Sequence, residues 1–230
     1  MEVVAFVDVK MTVMLLVDGS ASERFMSVGR SKRECVAEVA ALLAFSAIKN
    51  NDRVGLVSFT DQVERYVPPK KGRGHVMRVV TEILNAQPQH RATSIRSALD
   101  HFASATKRRA VAFLISDFLD TDYEHALRVA GARHDLIPVQ VIDPREETLP
   151  PMGLATVEDL ESGEILEVDM SDPQVRSHYA QEAMQQRAAR ERLFRRLRLD
   201  YVTVYTDQSC VRPISELFRL RQKRLRGFRA

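Results

Sequence analysis

Two kinds of segment alternate along this 230-residue chain, and their alternation restricts the folds open to it more than any single residue does. Short runs rich in Val, Ile and Leu at 11–17 (MTVMLLV), 53–59 (RVGLVSF), 63–67 (VERYV), 110–115 (AVAFLI), 136–142 (LIPVQVI) and 201–205 (YVTVY) read as strands. Three of them are almost wholly apolar, the composition of strands covered on both faces. Between them lie stretches of helical period. In 30–49, Val36, Val39, Leu43 and Ala47 recur three or four residues apart, while Arg33, Glu34 and Lys49 are free to face water. The same period predicts helices at 75–85, 94–105, 122–133, 173–198 and 212–225. Such alternation builds an α/β fold: a doubly wound, mostly parallel central sheet with helices on both faces. The polar pair Asp61-Gln62 closes a hairpin and makes the third strand an antiparallel edge.

The organisation expected from this pass is a lead-in at 1–10, a core at 11–143, and a last part at 144–230 packed on the same domain. That last part opens with a proline-rich connection, PREETLPPMG (144–153), and a hairpin, LATVEDLESGEILEVD, with Ser162-Gly163 at its turn. The opening MEVVAFVDVKMTVMLLVD is apolar but interrupted by Glu2, Asp8 and Lys10, with no basic region before it and no small-residue cleavage site after it. A cytoplasmic location and no membrane partner are therefore expected. Cys35 and Cys210 are far apart in sequence and read as small buried hydrophobes rather than a disulfide framework. The six histidines show no zinc-ligand spacing.

Charge is uneven. From Arg187 onward there are 13 basic residues against 4 acidic, whereas the preceding part holds 21 basic against 27 acidic. The two parts face different partners, or each other. An arginine-rich end invites a nucleic-acid reading. Against it, Leu193, Phe194 and Leu197, then Ile214, Leu217, Phe218 and Leu225, keep a helical apolar face, which assigns these arginines to the solvated side of packed helices.

The chemistry lies at strand ends. Ligands of open parallel sheets bind where the carboxyl ends of the strands meet loops and helix N-termini. Asp18 ends the first strand and is followed by Ser20 and Ser22; Asp117 lies just past the strand in AVAFLISDFLD, and Thr93 starts a helix. Two carboxylates and three hydroxyls are the donor set a small hard cation accepts, magnesium or manganese, with the charge balanced by the aspartates and a position left for an outside carboxylate. No histidine, lysine or third carboxylate stands in these loops as a general base, so the set reads as adhesion chemistry rather than catalysis. Taken singly the residues have plainer readings. Asp18 suits a turn, Thr93 a cap of the helix at 94–105, and Asp120 and Asp122 are read as caps of the helix at 122–133.

Asp18-Gly19-Ser20-Ala21-Ser22 with Thr93 and Asp117 resembles the metal-ion-dependent adhesion site of von Willebrand factor A domains. NNDRVGLVSFTDQV, RRAVAFLISDFLD, RHDLIPVQVIDPREETLPPMGLATVEDLESGE and DMSDPQVRSHY are similar to the bacterial family called domain of unknown function 58. The resemblance runs over nearly the whole chain from about residue 11. It implies an adaptor or co-chaperone-like component that works with a MoxR-type AAA+ ATPase and binds an Asp or Glu of a partner through a loaded metal site. Glu23 and Ala92 depart from the Met and Gly common in such domains; neither removes a ligand, and Glu23 is able either to compete for the metal or to cap the site. Two other readings stay open. One is a magnesium-dependent phosphoryl hydrolase with Asp18 as nucleophile, although Ser20 stands where such enzymes need a second Asp and there is no P-loop or Gly-x-Ser-x-Gly elbow. The other is a scaffold whose metal is purely structural.

Overall fold

A computed structural model describes residues 11–24, 30–158 and 165–227, the side chains of 23, 24 and 225–227 excepted. The lead-in at 1–10, the Ser162-Gly163 turn and the side chains of Glu23 and Leu225 thus lie outside the described residues. A six-stranded sheet runs in the order β3 (Val63–Lys70), β2 (Arg53–Phe59), β1 (Thr12–Asp18), β4 (Val111–Ser116), β5 (Asp135–Ile142), β8 (Val202–Tyr205). All its pairings are parallel except β2 with β3. β6 (Leu154–Glu158) and β7 (Ile165–Asp169) form a separate antiparallel ribbon. The expected fold class is what the chain adopts, antiparallel edge included.

Side chains alternate cleanly along the strands, and the alternation sorts the helices. Val13, Leu15 and Val17 of β1 belong to one apolar cluster with α1 (Lys32–Lys49), α2 (Arg73–Leu84) and α6 (Val211–Gly227). Met14 and Leu16 belong to the opposite cluster, with α3 (Ile95–Ala105), α4 (Glu124–Arg133) and Phe194 of α5 (Pro173–Arg196). Cys35 and Cys210 are free thiols, both buried in the first cluster. Among the described residues no helix is long and apolar enough to cross a membrane.

Caps fix the helix starts nearest the strand ends. Ser31 and Glu34 form a reciprocal capping box at the start of α1, and the Ser94 hydroxyl accepts from Ser97 N at the start of α3. The cap of α3 is therefore Ser94, not Thr93. The expectation for Asp120 and Asp122 is corrected: the cap position of α4 is Tyr123, which makes no side-chain cap hydrogen bond. Asp120 Oδ2 instead accepts from Ile95 N at 2.8 Å, and Asp122 meets Arg96. The cause is backbone conformation, since Phe118 and Asp122 both take φ near +60°, which swings this loop away from the helix that follows it and over α3.

Gly55, in the middle of β2, marks a place where no side chain fits. A Cβ there would lie 2.6 Å from Met14 Sδ and 3.0 Å from the Val67 carbonyl oxygen, at a break in the β2–β3 register. Gly55→Ala should destabilise the protein by about 1–3 kcal/mol through overpacking. Urea unfolding reads this as a lower midpoint with an unchanged m-value.

Candidate metal centre

From the central pair β1 and β4 the chain proceeds outward in opposite directions, to β2 and β3 on one side and to β5 and β8 on the other. This reversal of strand order parts the loops at the carboxyl ends of β1 and β4, where an α/β sheet offers a crevice. Asp18 is the last residue of β1, and Asp117 follows Ser116, the last of β4. The loop after Asp18 is held low. Gly19 N donates to Phe59 O at 2.8 Å, and a Cβ on Gly19 would come within 3.2 Å of Pro88 Cγ.

Four of the five predicted side chains come together. Asp18 is 2% exposed; its Oδ1 accepts from Ser20 N at 2.9 Å and its Oδ2 from Ser116 Oγ at 2.7 Å. The Ser20 and Ser22 hydroxyls are 3.0 Å apart, and the Ser22 hydroxyl supports the Asp117 carboxylate. Thr93, half-buried, stands on a loop tied to this cluster by Ala21 N donating to Arg91 O at 2.9 Å.

Sequence reasoning, which finds no lysine or third carboxylate in these loops, missed Lys32 and Glu146, which reach the site from α1 and from the turn after β5. Lys32, the first residue of α1, is completely buried, with Nζ 2.5 Å from Asp117 Oδ2 and 2.6 Å from Glu146 Oε1. Glu146 arrives from the turn after β5, whose carboxylate also caps the backbone N–H of Asp143. A signal for Lys32 existed: it lies four residues before Val36, on the buried stripe of α1 that continues through Val39 and Leu43.

The electrostatics follow from burial and charge. Burial pushes the Asp18 carboxyl up to about 7, and the neighbouring Asp117 charge adds to the rise. Burial opposes ionisation of Asp117 too, but the Lys32 ammonium, together with hydrogen bonds from Leu119 N and the Ser22 hydroxyl, outweighs it and holds that carboxyl below its ordinary value. Asp117 and Glu146 thus share one ammonium, while Asp18 beside them has only neutral donors. The donor set suits a hard divalent cation: oxygen only, two carboxylates already oriented by donors, neutral hydroxyls beside them. The space bordered by Asp18, Ser20, Ser58 and Pro88 measures about 20 Å³, enough to hold a water molecule.

With this geometry in view, comparison with known proteins is informative. The family model described as "Protein of unknown function DUF58" matches residues 4–189. The chain belongs to the DUF58 family. An uncharacterized protein of Mycobacterium tuberculosis is 29% identical over 224 residues, covering 96% of this chain and 69% of the relative. Among solved structures, the conserved hypothetical protein BatB from Bacteroides thetaiotaomicron superposes with a TM-score of 0.60 at 16% identity, over 93% of this chain and 99% of that one. An aerotolerance-related membrane protein from Bacteroides fragilis gives 0.61 at 16% identity, over 91% and 98%. At such identities the likeness concerns the fold alone, the mostly parallel six-stranded α/β sheet described above.

Because the folded-state pKa of Asp18 lies above the unfolded value, its contribution is fully present below about 4 and is lost as pH rises through about 7. Without divalent ions, thermal stability should therefore fall between pH 5 and pH 8. Asp18→Asn, which keeps the shape and removes the charge, should flatten that fall and raise the melting temperature at pH 8; differential scanning fluorimetry in EDTA measures both.

Proposed function

We propose that this DUF58 protein is a metal-dependent protein-interaction module, in which Asp18, Ser20, Ser22, Thr93 and Asp117 hold a magnesium or manganese ion that receives an Asp or Glu from a partner. The observation that carries this reading is the buried convergence of Asp18, Ser20, Ser22 and Asp117 at the switch point of the sheet, with the Thr93 loop tied to it. When bound, the ion would supply a coordination position for the partner's carboxylate.

The chain's own residues do the rest. Ser20 N and Ser116 Oγ aim both oxygens of Asp18, so the carboxylate is preorganised before any ligand arrives. Leu119 N donates to Asp117 Oδ1 at 3.1 Å, which holds that carboxylate in place independently of any ion. The hydroxyls add oxygen without adding repulsion. The same arrangement argues against an aspartyl nucleophile, since Asp18 is almost wholly buried with both oxygens engaged as hydrogen-bond acceptors. The family resemblance points to a MoxR-type AAA+ ATPase as the partner, and we adopt it as the first candidate.

Isothermal titration with Mn²⁺ or Mg²⁺ should give one site per chain, and Asp18→Ala should abolish it. Co-purification with a MoxR-type ATPase should be lost in EDTA and in Asp18→Ala. Association that survives both treatments would rule the adhesion mechanism out.

A further inference from the structure

Lys32 and Glu146 have no part in the proposed coordination, yet they touch it. Lys32 Nζ is wholly buried between Asp117 Oδ2 at 2.5 Å and Glu146 Oε1 at 2.6 Å. A buried ammonium is costly unless its charge is answered, and one carboxylate would answer it. Here it is answered twice, by residues from two separate segments of the chain. The second, Glu146, sits in the connection after β5, whose turns are held by Glu146 N to Asp143 O, Glu147 N to Pro144 O and Thr148 N to Pro144 O. On its far side the connection is anchored by Glu147 to Arg187 of α5 at 2.9 Å. Eight residues after Glu146 the chain enters β6, whose Glu158 lies 4.0 Å from Arg91 on the Thr93 loop.

We propose that Lys32 is a resident counter-cation that competes with the divalent ion for Asp117, and that Glu146 passes the outcome of that competition to the connection at 143–148. Without the ion, the ammonium bridges Asp117 and Glu146 and pins the connection to the rim. With the ion held by Asp18 and Asp117, like charge drives the ammonium away from Asp117, and the pin through Glu146 loosens. The connection then keeps its ties to Tyr179, Arg187, Tyr205 and Thr206 on its far side but loses the one that pins Glu146 to the rim, and the stretch beyond it gains freedom beside the rim where a partner would dock. This inference rests on the metal reading above and assigns that site a switch.

The test is Mn²⁺ titration calorimetry on the wild type, Lys32→Met and Glu146→Gln, with amide hydrogen exchange followed at 146–148. Lys32→Met, similar in length and uncharged, should bind Mn²⁺ about tenfold more tightly or better, because a competing charge at contact distance is gone. Glu146→Gln should bind several-fold more weakly, since it removes a nearby acid and leaves the ammonium wholly to Asp117. Mn²⁺ should speed exchange at Glu146, Glu147 and Thr148 in the wild type and leave Glu146→Gln unchanged. A merely structural ion pair would not tighten metal binding when broken. If the wild type binds Mn²⁺ while Lys32→Met binds no better, or while those amides are unaffected, the switch is overturned and the metal site stands. If neither protein binds, the metal reading itself falls and the switch falls with it. Should Lys32→Met not fold, unchanged affinity in Glu146→Gln overturns the proposal by itself.

Discussion

An ion pair kept entirely from water governs the carboxyl end of this sheet. Lys32 and Asp117 are 0% and 2% exposed, and removing either partner of such a pair typically costs about 3–5 kcal/mol because the other charge is left stranded. The sheet makes this unavoidable. Its central strands are apolar on both faces, and a row of buried polar groups lies where the strands stop. Asp18 ends β1, Asp117 follows β4, Asp143 follows β5 and Thr206 follows β8. Neighbours among them are joined directly: Ser116 Oγ donates to Asp18, and Thr206 Oγ1 donates to Asp143 Oδ2 at 3.2 Å. Lys32 enters this row from above because the start of α1 is fixed by its Ser31 capping box.

Most of the architecture was legible because strand and helix periods were clean. The expected 53–59 is β2 to the residue, and 11–17 and 110–115 each lie one residue ahead of β1 and β4. Asp18, Ser20, Ser22 and Asp117 converge because a strand end fixes where a residue sits once the strand order is known. Legibility ended where position depends on rotation or on irregular backbone. Lys32 looks like an ordinary first-turn charge until α1 is turned so that Val36, Val39 and Leu43 face the sheet, which turns Lys32 inward with them. Glu146 lies in a proline-rich connection with no period to read. Asp120 stands four residues before α4 but serves α3, because two left-handed residues, Phe118 and Asp122, redirect the loop.

The uneven charge of the chain also finds its use within the fold. Arg187 meets Glu147 and the Tyr205 hydroxyl, Arg196 meets Glu124, and Arg221 meets Asp135 and Asp200. The exposed pairs contribute little individually. Arg187 and Arg221 are less exposed, and each gathers partners from several elements, so the basic C-terminal part is stitched to the acidic body at the β5 and β8 edge.

The β6–β7 ribbon stands apart from this logic. Leu154 is 71% exposed and Ile165 65%, and among the described residues each strand pairs only with the other, leaving two outer edges open. Bare edges of this kind recruit further strands from other molecules. The exposed Glu158, Glu167 and Asp169 along the same ribbon counter that tendency by mutual repulsion between copies. The ribbon therefore carries its own guard, since the acids along it oppose the very pairing that its open edges invite.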